Sequence, residues 1–455
     1  MTPQDPSPGL ILAGLQSSSG KTAVTCLLLS ALRERGCAVQ PFKVGPDFID
    51  PGYHAHFSGT ASRNLDSWLM GEDAIAREVR IHGAGRLSIV EGVMGLFDGS
   101  DVHSDEGSTM ELARLLDWPL VLVVPGAKAG RSLAAALRGF IDEAGPGRIA
   151  GVILNQVSGK SHGDYLREAI APLKVPVLGA IPISEALSWP ERHLGLQASV
   201  EKALPSSHDL AALAEQHLDV PGLLAMLRPG PENAFERRQV PPQIRIAVAR
   251  DEAFHFYYEA NLDYLRGHAE LLEFSPLHDR ALPAPADALL IGGGFPEVFA
   301  DGLAQNETMR SELRSVLAGG MPCYAECGGL MLLAEELIAL DGKRHPMAGA
   351  IPGCIEMTPR LSNFGYCECS ELAGAEDARF RGHEFHHSRW LAESEHANLW
   401  TVRRKRSGTE RMEGFTRHRL HASYVHLHFT TSAAALAPLF ASASQRDLEP
   451  EVIAL

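Results

Sequence analysis

The sequence predicts an α/β protein built from two domains. Short apolar runs alternate with helical stretches through most of the 455 residues, a pattern typical of parallel sheets covered by helices on both faces. A chain of this length exceeds what a single hydrophobic core supports. Residues 226–243 are rich in Pro, Gly and charge and have no periodicity, which indicates a linker. We therefore expect one domain over residues 1–225 and another over residues 244–455.

The elements of both domains follow from apolar periodicity. An apolar run at residues 9–14 predicts a first strand, and an apolar stripe predicts a helix from Lys21 to Glu34. Further strands of the first domain are predicted at residues 39–44, 87–91, 119–124, 149–154 and 177–181. In the second domain, strands are predicted from residue 244, at 288–291 before three glycines, and at 321–325.

The loop between the first strand and the first helix has the composition of a phosphate-binding loop. The plain G-x-x-x-x-G-K-[ST] pattern is missed by one position, because the first glycine comes one residue early. Backbone N–H groups at such a helix start attract anions, and a lysine there neutralises the β- and γ-phosphates of ATP. The candidate nucleotide-binding residues are Gly14, Ser19, Gly20, Lys21 and Thr22.

Acidic residues at strand ends indicate a magnesium site beside this loop. Glu91 ends one predicted strand, and Asp47 and Asp50 follow another, at the sheet edge where the loop also lies. We assign Thr22, Asp47 and Glu91 as metal ligands, and leave open whether Asp50 acts on the metal or on substrate. Asn155 ends a strand and is a candidate for hydrogen bonding the nucleotide base; capping a turn is an equal alternative.

Composition excludes several classes of protein. The net charge of −15 argues against nucleic acid as the main ligand. No signal peptide and no uninterrupted apolar run of about 20 residues is present, so we expect no membrane contact. Seven dispersed cysteines without a C-x-x-C motif fit free thiols in the cytoplasm. The oligomeric state is left open, a homodimer being one option.

A cysteine in the second domain has the setting of a nucleophile. Cys327 lies between a predicted strand and two glycines, which permit a sharp turn into a helix whose N-terminus stabilises a thiolate. Amide groups at this turn and at residues 292–294 are candidates for an oxyanion hole. The activating base is His426 or His428, which would share one face of a strand. Glutamine-cleaving triads often carry Glu two residues after the histidine, but His428 stands there, so the third member is not assigned.

The segment His383-Glu-Phe-His-His387 matches the H-E-x-x-H pattern of zinc proteases. That pattern binds zinc only when a helix brings both histidines to one face. Because Gly382 precedes the segment and no third ligand is evident nearby, we expect an extended segment near a site and no zinc.

The chain resembles the cobyrinic acid a,c-diamide synthase family, which includes the hydrogenobyrinic acid enzymes. The resemblance covers residues 10 to about 430, in order. It rests on FKVGPDFIDP at 42–51, SRNLD at 62–66, VEGVMGLFD at 90–98, PERHLG at 190–195, IAVARD at 246–251, FYY at 256–258, GGGFPE at 292–297, AECGGLM at 325–331, GHEFH at 382–386 and ASYVHLHF at 422–429.

The resemblance implies a specific activity. The family converts the a and c carboxylates of a corrin ring to amides with ATP, Mg²⁺ and L-glutamine. It implies a dethiobiotin synthetase-like phosphate-loop domain followed by a class I glutamine amidotransferase domain, with Cys327 as nucleophile and His426 as its base. Lys43, Arg63 and Arg360, if they are not idle surface charges, are candidates to hold the polyacid substrate, as is Asp50.

Two departures from the family pattern and three rival functions follow from the same residues. Ser18 stands where a loop glycine is common, and Pro125 where an Asp is common, which leaves the roles of residues 125–130 open. The rival amide-forming enzymes are a cobyric acid synthase and a nickel-sirohydrochlorin a,c-diamide synthase. The rival from another class is a partition-type ATPase.

Overall fold

The chain forms two compact units, Met1–Glu236 and Arg237–Leu455. A computed structural model describes residues 7–187, 204–231, 244–371 and 379–440. Residues 232–243 of the predicted linker and residues 190–195 of the family resemblance lie outside these ranges. Residues 226–231 of the predicted linker are described with the first unit, where the Arg228 amide donates a hydrogen bond to the Gly9 carbonyl over 3.2 Å.

The first unit contains a seven-stranded parallel sheet in the order β3-β2-β4-β1-β5-β6-β7. Its strands are β1 Gly9–Gly14, β2 Val39–Val44, β3 Arg63–Leu65, β4 Leu87–Glu91, β5 Leu120–Pro125, β6 Ile149–Val157 and β7 Val177–Pro182. Its helices are α1 Lys21–Glu34, α2 Asp50–Ser58, α3 Ser67–Met70, α4 Glu72–Gly83, α5 Thr109–Leu116, α6 Ser132–Ala144, α7 Lys160–Ile170, α8 Ser207–His217 and α9 Val220–Ala225.

The strands and helices of the first unit agree with those predicted from the apolar pattern because their apolar residues are buried. β1 lies at the centre of the sheet and is buried at every residue, as expected for a strand covered on both faces. α1 packs its apolar stripe, including Val24 and Leu28, into the core beside Leu10. β1, α1, β2 and β4 begin and end at the predicted residues, whereas β5 begins and ends one residue later and β6 extends three residues further.

The second unit is also α/β but contains more antiparallel structure than the apolar runs predict. Its main sheet has the order β10-β8-β11-β13-β23-β22, parallel except for β22. The strands are β8 Ile244–Ala249, β9 Phe254–Phe256, β10 Ala269–Phe274, β11 Ala288–Ile291, β12 Gly293–Gly294, β13 Cys323–Glu326, β14 Glu336–Ile338, β15 Arg344–Pro346, β16 Cys354–Met357, β17 Asn363–Glu371, β18 Arg379–His386, β19 Ser388–Leu391, β20 Trp400–Arg404, β21 Glu410–Glu413, β22 Phe415–Arg417, β23 Leu420–Ser423 and β24 His426–Leu427.

The described part of the second unit also contains six helices: α10 Glu259–Arg266, α11 Ala300–Gln305, α12 Glu307–Ala318, α13 Gly328–Leu333, α14 Phe429–Ser432 and α15 Ala437–Phe440. A five-stranded antiparallel sheet, β21-β20-β17-β18-β24, carries β24 beside the main sheet. These two sheets hold the residues of the predicted cysteine site. Across the described residues of both units, no helix is long and apolar enough to cross a membrane.

Candidate active site

The phosphate loop turns sharply at Gly20, immediately before α1. Gly20 has a φ of 80°, a left-handed conformation that favours glycine. A Cβ at this position would lie 2.0 Å from Nδ2 of Asn155. Gly14, where the loop begins, is less confined, because a Cβ there would lie 3.0 Å from the Gln16 carbonyl oxygen and 3.1 Å from Nζ of Lys21. The contact with Asn155 and the positive φ therefore require glycine at position 20.

Ser19 and Asn155 hold the loop in shape. The buried Ser19 hydroxyl donates a hydrogen bond to the Gln16 carbonyl over 2.7 Å. Asn155, a candidate for contacting the nucleotide base, donates from Nδ2 to the Ser19 carbonyl over 3.0 Å. The Asn155 amide therefore supports the loop from strand β6, and its contact with the base stays a prediction.

Lys21 points back across the loop. Its Nζ donates to the Met94 carbonyl over 2.5 Å, and the side chain is buried. Burial and, to a smaller extent, the positive charge of Lys43 lower the pKa of Lys21 to about 8. A lysine with this pKa is mostly charged at neutral pH and loses its charge as the pH rises through about 8, unless an anion stabilises the charged form.

Glu91 is the centre of a buried polar cluster at the sheet edge. One carboxylate oxygen accepts a hydrogen bond from the Thr22 hydroxyl at 2.7 Å and lies 2.9 Å from Nζ of Lys43. The other oxygen lies 2.5 Å from Nε2 of His54. Burial opposes the charge of Glu91, but Lys43 and His54 outweigh it and hold the pKa of the carboxyl well below its usual range.

Lys43 is a candidate to hold substrate, with an idle surface charge as the alternative, and the structure places it in the interior of the first unit. Its Nζ lies 2.6 Å from Asp50 and 3.9 Å from Asp47, in addition to Glu91. Burial disfavours the ammonium, but Asp50, Glu91 and Asp47 raise its pKa above the ordinary value. The three candidate carboxylates thus converge on one cation, which shows that this cluster of oxygens suits positive charge.

Arg63 likewise forms an ion pair with a neighbouring side chain. Its Nε lies 2.5 Å from Oε2 of Glu78, and both side chains are largely buried. Asp47 uses Oδ1 to accept the backbone amides of Ile49, at 2.7 Å, and Asp50, at 3.1 Å. Arg360 is exposed. The predicted substrate-binding residues therefore divide into a buried group and one exposed arginine.

Cys327 occupies a strained turn between β13 and α13. Its φ of 47° and ψ of −100° lie outside the helical and extended regions, and its amide donates to the Ser423 carbonyl over 2.7 Å. The side chain is buried at 6% exposure. A Cβ on Gly329 would lie 2.2 Å from the Ile291 carbonyl oxygen, so the turn requires glycine there. This geometry presents a thiol at the edge of the sheet, as a nucleophile requires.

The structure distinguishes the two candidate bases. The imidazole of His426 forms a hydrogen bond with the Cys327 thiol. His428 lies outside β24, caps α14, and has Nδ1 2.7 Å from the Thr430 hydroxyl. The expectation that both histidines lie on one strand is wrong, because β24 ends at Leu427. His426 is therefore the residue placed to act on the thiol.

Glu326 is a site residue that the sequence argument missed. Its Oε2 lies 3.5 Å from Nδ1 of His426. Burial opposes an imidazolium, but the interactions of His426 with Cys327 and Glu326 outweigh it and raise the pKa of His426 to about 10. The signal in the sequence is the acidic residue directly before the cysteine in Ala-Glu-Cys.

The glycines of β12 are tightly confined, and Gly293 lies against the imidazole of His426. A Cβ on Gly293 would lie 2.6 Å from Cε1 of His426, and one on Gly294 would lie 1.9 Å from the Ala253 carbonyl oxygen. The Gly292 amide donates to the Tyr257 hydroxyl over 2.8 Å, so this predicted oxyanion-hole group is engaged elsewhere. The first amides of α13 have no carbonyl acceptor within their own helix.

The first four residues of the H-E-x-x-H segment lie on strand β18, which confirms that this part is extended, and His387 follows the end of the strand. His383 is buried, and its Nε2 lies 2.6 Å from the Tyr258 hydroxyl. His386 stacks on Tyr424 with ring centroids 3.9 Å apart. Because no helix forms here, His383 and His387 do not share the helical face on which this motif binds zinc.

Comparison with known proteins identifies the family. Residues 10–196 match the CobQ/CobB/MinD/ParA nucleotide binding domain, and residues 245–434 match the CobB/CobQ-like glutamine amidotransferase domain. A cobyrinate a,c-diamide synthase of Syntrophotalea carbinolica is 43% identical, over 94% of this chain and 97% of its own length. The chain belongs to the cobyrinate a,c-diamide synthase family.

Two further members of the family show the same breadth of similarity. The cobyrinate a,c-diamide synthase of Listeria monocytogenes serotype 4b is 41% identical over 95% of this chain and 98% of its own length. That of Salmonella typhimurium is 40% identical over 92% of this chain and 94% of its own. The chain is a glutamine-dependent, amide-forming ligase with a nucleotide-binding domain, and the predicted fold class of two α/β domains is confirmed.

Proposed function

We propose that this protein amidates the a and c carboxylates of cobyrinic or hydrogenobyrinic acid, with ATP as the energy source and L-glutamine as the nitrogen donor. The observation that carries the proposal is the strained Cys327 beside His426 in a chain that also holds a phosphate loop ending in Lys21 and Thr22. A partition-type ATPase does not cleave glutamine and therefore does not require a nucleophilic thiol.

In the amidotransferase unit, ammonia comes from glutamine. The Cys327 thiolate attacks the side-chain amide carbon, and the imidazolium of His426 gives its proton to the leaving nitrogen. Water activated by His426 then hydrolyses the thioester to glutamate. The raised pKa of His426, about 10, supports this assignment because it keeps a proton on the imidazole at neutral pH.

In the nucleotide-binding unit, a corrin carboxylate attacks the γ-phosphate of ATP and forms an acyl phosphate. Lys21 lies within the loop that would surround the phosphates and regains full charge when they bind. Thr22, Glu91 and Asp47 are the residues that would hold Mg²⁺, and the convergence of Glu91, Asp47 and Asp50 on Lys43 supports a site for positive charge. When bound, Mg²⁺ supplies charge neutralisation of the β- and γ-phosphates.

Ammonia then displaces phosphate from the acyl phosphate to give the amide. Because an acyl phosphate hydrolyses in water, we propose that the synthetase site closes and that ammonia reaches it inside the protein. Lys43 and Arg63 are buried and paired with carboxylates. In this proposal they stabilise the residues that surround the polyacid site. The seven free thiols support the cytoplasm as the compartment.

The test incubates the purified protein with ATP, Mg²⁺, glutamine and cobyrinic acid, in parallel with hydrogenobyrinic acid, and follows product mass. Each amide changes the mass by the difference between OH and NH₂. We expect the reaction to stop at the a,c-diamide and to identify the preferred ring. Continued amidation past that product would favour a cobyric acid synthase, and ATP hydrolysis without any mass change would contradict the proposed substrate. Cys327→Ala should support amidation with ammonium chloride but not with glutamine.

A further inference from the structure

Glu326 is buried between the nucleophile and its base. It is the last residue of β13, immediately before Cys327, and is 6% exposed. Consecutive residues of a strand normally point to opposite faces. Here the positive φ of Cys327 breaks that alternation, so the carboxylate of Glu326 and the thiol of Cys327 both reach the imidazole of His426.

The two oxygens of this carboxylate have different surroundings. Oε1 accepts hydrogen bonds from the Tyr324 hydroxyl and the Leu427 amide, both at 3.1 Å. Oε2 faces Nδ1 of His426 at 3.5 Å. Because Oε1 is anchored on two sides, the carboxylate cannot turn away without losing both bonds. The Leu427 amide also belongs to the residue after His426, so the same carboxylate fixes backbone and ring together.

Other neighbours restrict the imidazole from the remaining directions. His383 stacks on the ring of His426 at a centroid distance of 5.0 Å, and Gly293 leaves no room for a Cβ beside Cε1. The position two residues after the base is occupied by His428, which hydrogen bonds with Thr430. A carboxylate is therefore absent from that position of the chain and present on the opposite side, in the strand that leads to the cysteine.

We propose that Glu326 is the third member of the amidotransferase site, a positioning residue that accepts Nδ1–H of His426 and directs Nε2 toward the Cys327 thiol. This inference rests on the proposed glutamine cleavage. The thiol proton moves to Nε2, the sulfur bonds to the amide carbon, and the breaking C–N bond takes that proton as ammonia leaves. Glu326 stays ionised throughout and stabilises the imidazolium in each step.

The test variant is Glu326→Gln in the full chain. Glutamine keeps a carbonyl oxygen for Tyr324 and Leu427 but removes the charge beside His426. We expect kcat for glutaminase to fall by roughly 100-fold, with KM for glutamine within about twofold of wild type. The alkaline limb of the kcat pH profile should move about one to three pH units lower, since the imidazolium loses its counter-charge. Amidation with ammonium chloride should remain at the wild-type rate.

Two further variants make the result decisive. Glu326→Asp retains the charge and should keep the alkaline limb near its wild-type position, even if kcat falls. Glu384→Gln is the matched control, because Glu384 is also buried but pairs with Arg411 and His386; its pH profile should not move.

Cys327→Ala separates this inference from the proposed function. If that variant still cleaves glutamine, the proposed chemistry is wrong. If it is inactive while Glu326→Gln has the wild-type kcat and pH profile, the positioning role is overturned and the proposed function stands. An Asp variant that folds but has the pH profile of the Gln variant would also overturn it.

Discussion

The imidazole of His383 lies nearly parallel to that of His426, with ring centroids 5.0 Å apart and an interplanar angle of 13°. Burial, and then the nearby His426 and His428, hold the pKa of His383 well below its usual range. His383 is therefore a neutral ring that covers one face of the base, anchored by the Tyr258 hydroxyl. The segment that resembles a zinc motif thus contributes packing to the cysteine site.

A chelator should leave glutamine cleavage unchanged. Because His383 lies on the extended strand β18 and not on a helix, it does not share with His387 the helical face on which this motif binds zinc. We expect protein treated with EDTA, and assayed for glutaminase without ATP, to have the activity of untreated protein. Stoichiometric zinc in the purified protein, lost together with activity, would contradict this interpretation.

Substituting Gly293 should impair glutamine cleavage while leaving the synthetase reaction intact. In Gly293→Ala the new Cβ would lie 2.6 Å from Cε1 of His426 and 3.2 Å from Cβ of Phe256, so the imidazole must move. A displacement of this size costs on the order of 100-fold in rate. Glutamine-dependent and ammonia-dependent amidation are measured side by side. Gly139→Ala is the control, since a Cβ there meets nothing within 4 Å; equal losses in both variants would refute the argument.

Removing Lys43 should destabilise the protein strongly. Lys43→Met leaves the buried Glu91 and the partly buried Asp50 without the cation that lies 2.9 and 2.6 Å away, which typically costs about 3–5 kcal/mol. The measurement is the thermal unfolding midpoint of the full chain. Arg35→Met, which breaks the solvent-exposed pair with Glu215, should cost at most about 1 kcal/mol. Similar shifts for the two variants would show that the buried cluster contributes no more than a surface pair.

ATP binding should take up protons at alkaline pH. The pKa of Lys21 is about 8 in the free protein, so its side-chain amine is mostly neutral above that pH until the phosphates stabilise the charged form. Calorimetry with a non-hydrolysable ATP analogue, in buffers of different ionisation enthalpy, should show uptake that rises from about pH 7 to about pH 9. Lys21→Arg should remove this uptake because arginine stays protonated. Equal uptake by both proteins would assign the proton to another group.

Glu413 should make the second unit less stable as pH rises from acidic to neutral. Burial and then Glu384 raise the pKa of Glu413 from 4.5 to about 7. Between these values the unfolded chain has lost the proton that the folded chain retains, so stability falls by about 3 kcal/mol as pH rises and is constant above pH 7. Thermal midpoints of Glu413→Gln should show a flatter dependence on pH in this window. Gln can still accept the Tyr424 amide, whose bond to Glu413 is 2.7 Å long. A wild-type slope in the variant would exclude Glu413 as the source.

Residues close together in the chain were predicted well from the sequence. The phosphate loop, α1 and the turn at Cys327 each depend on a strand, a few glycines and a helix start within about ten residues, so their geometry follows from local sterics and apolar periodicity. The two α/β domains and the choice of Cys327 as a candidate nucleophile follow from the same local information.

Contacts between distant strands were decided only by the tertiary structure. The buried position of Lys43, the support of the loop by Asn155 and the hydrogen bond between His426 and Cys327 all depend on which strand ends meet at a sheet edge. Glu326 is next to Cys327 in the chain, yet its role arises from β24, about a hundred residues later.

The sequence by itself determined which residue types are present and where the chain turns. Tertiary packing decided which charges are buried together. A buried charge depends on the groups that contact it, so its neighbours in space, and not its position in the chain, determine its protonation state.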